Sequence, residues 1–168
     1  MRLKALGAVA ALTLTAIAFA TVVVTRVQTR GYALDSSNTR FDFQLNAMRR
    51  QQGTNYRYYG LGSFAWTSNG RTQGMRIRSI SAITVDEDSE SRVVRVEGKG
   101  QLGRWGFNPE RFNGNLTVGD FIVTFTDNFE VNDTVSFSFS SGAGVNATHY
   151  SFSGNVQSGT LNVNQWTL

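Results

Sequence analysis

From Phe41 onward the chain sorts its side chains by parity, and that restricts it to extended strands with one dry face and one wet face. Val94, Val96, Gly98, Gly100 and Leu102 fall on one parity, while Arg95, Glu97, Lys99 and Gln101 fall on the other. The segment Met75–Leu102 therefore reads as a hairpin around the turn Asp86–Ser91, which carries no apolar residue and belongs in water. The same sorting recurs on both sides of it. Phe41, Phe43, Leu45 and Ala47 point inward against Asp42, Gln44 and Asn46, and Met48–Asn55 breaks the pattern as a loop. Tyr58, Gly60, Gly62, Phe64 and Trp66 share a parity, with glycines that suggest a bend or bulge. Ser68-Asn69-Gly70 is a turn signal.

Gly103–Gly114, with the single proline Pro109, is the longest irregular piece and reads as a connection over one end of the sheet. Phe121, Val123 and Phe125, then Val135, Phe137 and Phe139, alternate with polar or smaller residues around the loop Asp127–Asp133. Tyr150, Phe152, Gly154 and Val156 follow, Gln157-Ser158-Gly159 reads as a turn, and Leu161 and Val163 form a last strand.

The expected fold class is all-β, about eight antiparallel strands joined by short connections, as a β-sandwich or a closed barrel. Small Ser and Gly residues at outer positions lean toward a sandwich. Seventeen glycines, twelve phenylalanines and one proline suit a turn-rich protein with an aromatic core, and helix formers are scarce after residue 50.

The first 24 residues have a different character. Arg2 and Lys4 precede an uncharged run from Ala5 to Val24, the pattern of an export signal, and Ala18-Phe19-Ala20 supplies small residues for cleavage after Ala20. Left uncleaved, 5–24 is long enough for a membrane anchor of roughly 30 Å at about 1.5 Å per residue. The expected organisation is a signal peptide or anchor over 1–24, a tether over 25–40 and an all-β domain over 41–168. The expected location is secreted, periplasmic or cell-surface, with membrane contact only through the N-terminal segment if it stays attached.

Without cysteine the chain can hold no disulfide, thiolate metal site or cysteine nucleophile. Setting Arg2 and Lys4 aside leaves 14 basic against 12 acidic side chains, a balance too even for a nucleic-acid binder. His149 is the sole histidine and lies on the wet parity, and no G-x-S-x-G elbow is present. Glu97, Asp120 and Asp42 also point outward, so solvated charge is their expected role rather than paired-carboxylate hydrolysis. Asp127, Asn128, Glu130, Asn132 and Asp133 place five side-chain oxygens in seven residues, a set that suits Ca²⁺ or simply a polar turn. Arg40, Arg49, Arg50, Arg57, Arg71, Arg76 and Arg78 are opposed between residues 40 and 78 only by Asp42. They suit an anionic lipid or wall polymer, or else pair with the acidic loops and keep the surface soluble. Tyr59, Trp105 and Phe107 are the candidates for a sugar-stacking platform, being off the inward parity or in the long connection.

Phe41-Asp42-Phe43, the strand Val96-Glu97-Gly98-Lys99-Gly100, Phe121-Ile122-Val123 ahead of Asp127-Asn128, Asp133 before Phe137, and Tyr150–Gly154 ahead of Gly159-Thr160-Leu161 together resemble post-COAP-type small secreted bacterial β-domains. The resemblance spans 41–163 and implies an exported β-domain with no catalytic residue to carry over. The strand after Asp133 departs from that group, with serines where charged residues are usual. The expected function is a non-enzymatic structural or interaction role at the cell envelope, toward an envelope or extracellular partner. The alternatives are a lipocalin-like small-molecule barrel or a carbohydrate-binding module.

Overall fold

The computed structural model describes residues 21–68, 71–104, 117–142 and 148–168. Its eight strands are β1 (Val22–Leu34), β2 (Arg40–Gln52), β3 (Asn55–Ser68), β4 (Arg71–Glu87), β5 (Ser91–Arg104), β6 (Thr117–Asn128), β7 (Thr134–Ser141) and β8 (Thr148–Thr167). Each pairs antiparallel with the next, and β1 pairs with β8, closing the sheet into an up-and-down barrel. Closure decides against the sandwich that the small outer residues favoured. Those serines lie on the wet outside of the wall, where Ser138 faces Ser151 and Ser136 faces Ser153 across the β7–β8 ladder.

The closing strand is the stretch expected to be a tether. Its inward positions are Thr25, Val27, Thr29, Gly31 and Ala33, opposite Arg49, Ala47, Leu45, Phe43 and Phe41. The phase is mostly small because the partner strand fills the interior. A Cβ on Gly31 would collide with the Ser158 carbonyl and touch the Phe43 ring.

Three bulges reset the alternation elsewhere. In β4, Arg78 and Ser81 are the extra residues, so the inward phase runs Met75, Ile77, Ile80, Ile83 and Val85. In β8 the register against β1 skips Gln157. The triplet Gln157-Ser158-Gly159, expected to be a turn, is therefore a bulge within one 20-residue strand. Met48–Asn55 is likewise strand rather than loop. β2 continues to Gln52, and a tight turn at Gly53, with φ of 59°, leads into Asn55. The apolar pattern stops there because the inward positions, Arg49 and Gln51, have reached the mouth of the barrel. The turn at Asn69-Gly70 lies outside the described residues.

Inside, the core is aromatic. Phe41 is fully buried and its ring centroid lies 4.7 Å from Phe152, 5.1 Å from Phe137, 5.8 Å from Phe64 and 6.3 Å from Trp66. Trp66 in turn stacks on Tyr150 at 3.9 Å. Such offset and tilted pairs add to the gain from burying the rings themselves. One end is plugged by Arg49, whose Nη1 donates to the Ile83 carbonyl at 2.9 Å and whose Nη2 donates to Thr25 Oγ1 at 3.3 Å. At the other end the β1–β2 turn is held by the Asp35 carboxylate, which accepts from the Thr39 and Ser37 amides at 2.8 Å each. Those backbone bonds, Thr39 first, hold its pKa below the ordinary value.

Candidate functional site

A closed barrel offers a ligand either its interior or its outer wall. One hollow that reaches the inward side chains of Phe43, Phe125 and Leu161 holds about 20 Å³, the scale of a single water. Small-molecule sites run to roughly 300–1,000 Å³.

The larger hollows are on the outside. One groove of about 500 Å³ is lined by Arg30, Tyr32, Arg40, Asp42, Gln44 and Ser63, all on the outward phase of β1, β2 and β3. A second, of about 340 Å³, is lined by Gln28, Arg30, Gln44, Asn46, Leu61 and Asn162. Arg30 and Gln44 border both, and they face each other across the β1–β2 ladder, so the grooves meet there. The hollow exists because small outward residues, Ser63 and Ala65 on β3 and Gly74 opposite Ala65 on β4, leave the wall low between longer side chains. A third hollow, of about 580 Å³, lies farther along the same side at the β2–β3 hairpin, against Arg50, Tyr56 and Arg57.

Charge is divided unevenly around the cylinder. Residues 22–85 contain nine arginines and two aspartates, whereas residues 86–133 contain ten acidic and five basic side chains. Among the described residues, four of the acids on that side find cations on the same side. Arg92 reaches Glu87 at 2.7 Å and Asp127 at 3.9 Å, Arg95 reaches Glu97 at 2.7 Å, and Lys99 reaches Asp120 at 2.9 Å. The Arg92 hydrogen bond holds the Glu87 carboxyl below its ordinary range. On the arginine side, Arg40 grips Asp42 through Nε and Nη2 and lies 4.1 Å over the Tyr32 ring. Arg78 donates to Gln101 and Arg26 to Asn46. Among the described residues, Arg30, Arg50 and Arg57 meet no carboxylate. Arg40, Arg49, Arg50, Arg57 and Arg78 therefore do not pair with the acidic loops, whose Glu87 and Asp127 meet Arg92.

The remaining sequence candidates scatter. His149 is exposed on the outside of β8, opposite Ser140. Asp42 lies on β2, across the barrel order from Glu97 on β5 and Asp120 on β6, and each of the three has its own cation. In the Asp127–Asp133 loop, the Asn128 amide donates to Asp133 Oδ1 at 3.1 Å and Asn128 Nδ2 to the Asn132 carbonyl at 2.9 Å, while Asp127 faces Arg92. Of the five side-chain oxygens proposed for Ca²⁺, that of Asp133 thus serves the turn and that of Asp127 an ion pair. Among the described residues no group of three or more His, Asp or Glu is placed to hold a metal. Tyr59 sits on the outer wall of β3, opposite Met48 and 46 % exposed. Trp105 and Phe107 lie outside the described residues.

Sequence reasoning did not find Arg30. It lies in the stretch expected to be a tether, and only the β1–β2 pairing places it beside Gln44. No protein-family model matches the chain, and no curated protein or solved structure matches it.

Proposed function

We propose that this chain is an exported, non-enzymatic β-barrel that serves as an interaction domain at the cell envelope and presents its outer wall to its partner. The observation that carries this reading is the aromatic filling of the barrel, with Phe41 buried among four rings and about 20 Å³ left beside Phe43. That packing favours a wall that binds over a lipocalin-like cup. The wall is polar along β2, β5 and β7, through Asp42, Gln44 and Asn46, Arg95, Glu97 and Lys99, and Ser136, Ser138 and Ser140. This is the inverse of the apolar belt that a membrane-spanning barrel turns to lipid.

Export rests on the leader, and the placement of β1 supports cleavage over anchoring. Val22 pairs with Gln52 and Val24 with Trp166, so these valines belong to the barrel. The uncharged run left before them, Ala5–Thr21, is 17 residues. As a helix it would span about 26 Å, less than the roughly 30 Å of a bilayer core and within reach of a signal peptide. Cell fractionation with N-terminal sequencing tests the reading. The exported protein should begin at Thr21, and a cytoplasmic protein beginning at Met1 would overturn it. A hydrophobic fluorescent probe should show no saturable binding; tight uptake would favour the cup.

A further inference from the structure

We infer that the outer wall formed by β8, β1, β2 and β3 is a binding face for an extended, carboxylated polysaccharide, with Arg30 at its centre. The inference rests on the envelope reading above and names its ligand class. The two grooves joined at Arg30 and Gln44 make one shallow channel on this wall. Its chemistry is mixed in the way a charged sugar chain requires. Gln28, Gln44, Asn46 and Asn162 bring amides that can both donate to and accept from hydroxyls. The Asn46 amide is held in place by Arg26 at 3.3 Å.

Arg30, Arg50 and Arg57 bring guanidinium forks that meet no carboxylate among the described residues, and such a fork matches a carboxylate in the plane. Arg30 stands opposite Gln44, and Arg50 lies six residues farther along β2, which separates the two forks by about 20 Å at ~3.3 Å per residue. Arg57 faces Arg50 across the β2–β3 ladder. A chain of spaced acidic sugars lying along the wall would meet both positions. Tyr59, exposed on the same wall, gives a sugar ring an aromatic face.

The charge around the barrel selects the polarity of this ligand. The only aspartate in the channel is held by Arg40, and the excess of acids lies on the opposite side, away from the channel. An anionic polymer therefore meets net positive charge here and no unpaired acid. A flat bilayer fits less well, because it would touch a convex wall along a line and leave the channel unfilled.

The test is affinity electrophoresis of the exported protein through gels containing polygalacturonate, with its methyl-esterified form as the uncharged control. Flotation with phosphatidylcholine–phosphatidylglycerol vesicles runs in parallel. Retardation should occur in the acidic polymer, weaken with added salt, and be absent in the ester. Arg30→Gln should weaken binding about fivefold or more, and Arg30→Lys should recover part of it. Arg95→Gln on β5, an equal loss of charge on the opposite wall, should leave binding unchanged. Arg30 is exposed and bonded to no described side chain, so its variants should keep the parent melting temperature. Equal effects of Arg30→Gln and Arg95→Gln, binding to vesicles in place of polymer, or no retardation at all would overturn the inference. An exported protein starting at Thr21 that ignores the polymer would remove this ligand and leave the envelope reading standing.

Discussion

Phe41→Ala is the perturbation most directly sized by the architecture. The side chain is fully buried, and its ring meets Phe64, Trp66, Phe137 and Phe152, on three other strands. Truncating a buried phenylalanine costs about 3–5 kcal/mol, from lost transfer energy and from the cavity left behind. The ring pairs place this site toward the upper end, since each contributes beyond its area. A loss of about 4–5 kcal/mol lowers the melting temperature of a domain this size by roughly 8–20 °C. Urea unfolding followed by far-UV circular dichroism gives the free energy, and an unchanged m-value certifies that the folded and unfolded states keep their surfaces. Leu61→Ala is the matched control, because Leu61 is 64 % exposed on the outer wall. It should change stability by less than about 0.5 kcal/mol. A loss below about 1 kcal/mol for Phe41→Ala would refute the filled core, and with it the argument that recognition belongs to the outside.

Three further outcomes are expected. Tyr150 is half-buried against Trp66, and burial first, then the Asp35 charge, pushes its pKa well above the ordinary 10.0. Its contribution is full below pH 10 and fades as pH rises beyond it, because the unfolded chain ionises first, so Tyr150→Phe should flatten the alkaline limb of a melting-temperature profile. The lowered Asp35 carboxyl works in the opposite direction. Its stabilisation is present above its ordinary 3.8 and is lost as pH falls below it, so Asp35→Asn should narrow the gap between urea midpoints measured at about pH 5 and about pH 3. A Cβ at Gly98 would collide with the Ser79 carbonyl at the first β4 bulge, so Gly98→Val should cost about 1–3 kcal/mol or more in the same urea assay.

The strands that alternate strictly were legible without coordinates. Phe41, Phe43, Leu45 and Ala47, or Val135, Phe137 and Phe139, cannot all be buried unless the backbone is extended with one face dry. The irregular pieces were not. β4 carries its inward residues at 75, 77, 80, 83 and 85, and two single-residue insertions hide that phase from a period-two reading. Gln157 hides β8 in the same way, so two strands were expected where one runs for 20 residues. β1 was invisible for another reason. Thr25, Thr29, Gly31 and Ala33 are inward because Phe41 and Phe43 occupy the space before them, and small residues leave no hydrophobic signature. The count of eight held because a missed first strand and a divided last one offset each other.

By itself, the sequence determined an all-β chain with an aromatic interior, no cysteine chemistry and a leader-like start, since composition and parity are local properties. Only the tertiary structure decided that the sheet closes, because closure depends on β1 meeting β8 across more than a hundred residues of chain. Both ladders of β1 decided the candidate site: the β1–β2 pairing sets Arg30 opposite Gln44 and Gln28 opposite Asn46, and the β1–β8 pairing brings the distant Asn162 opposite Gln28 on the same wall.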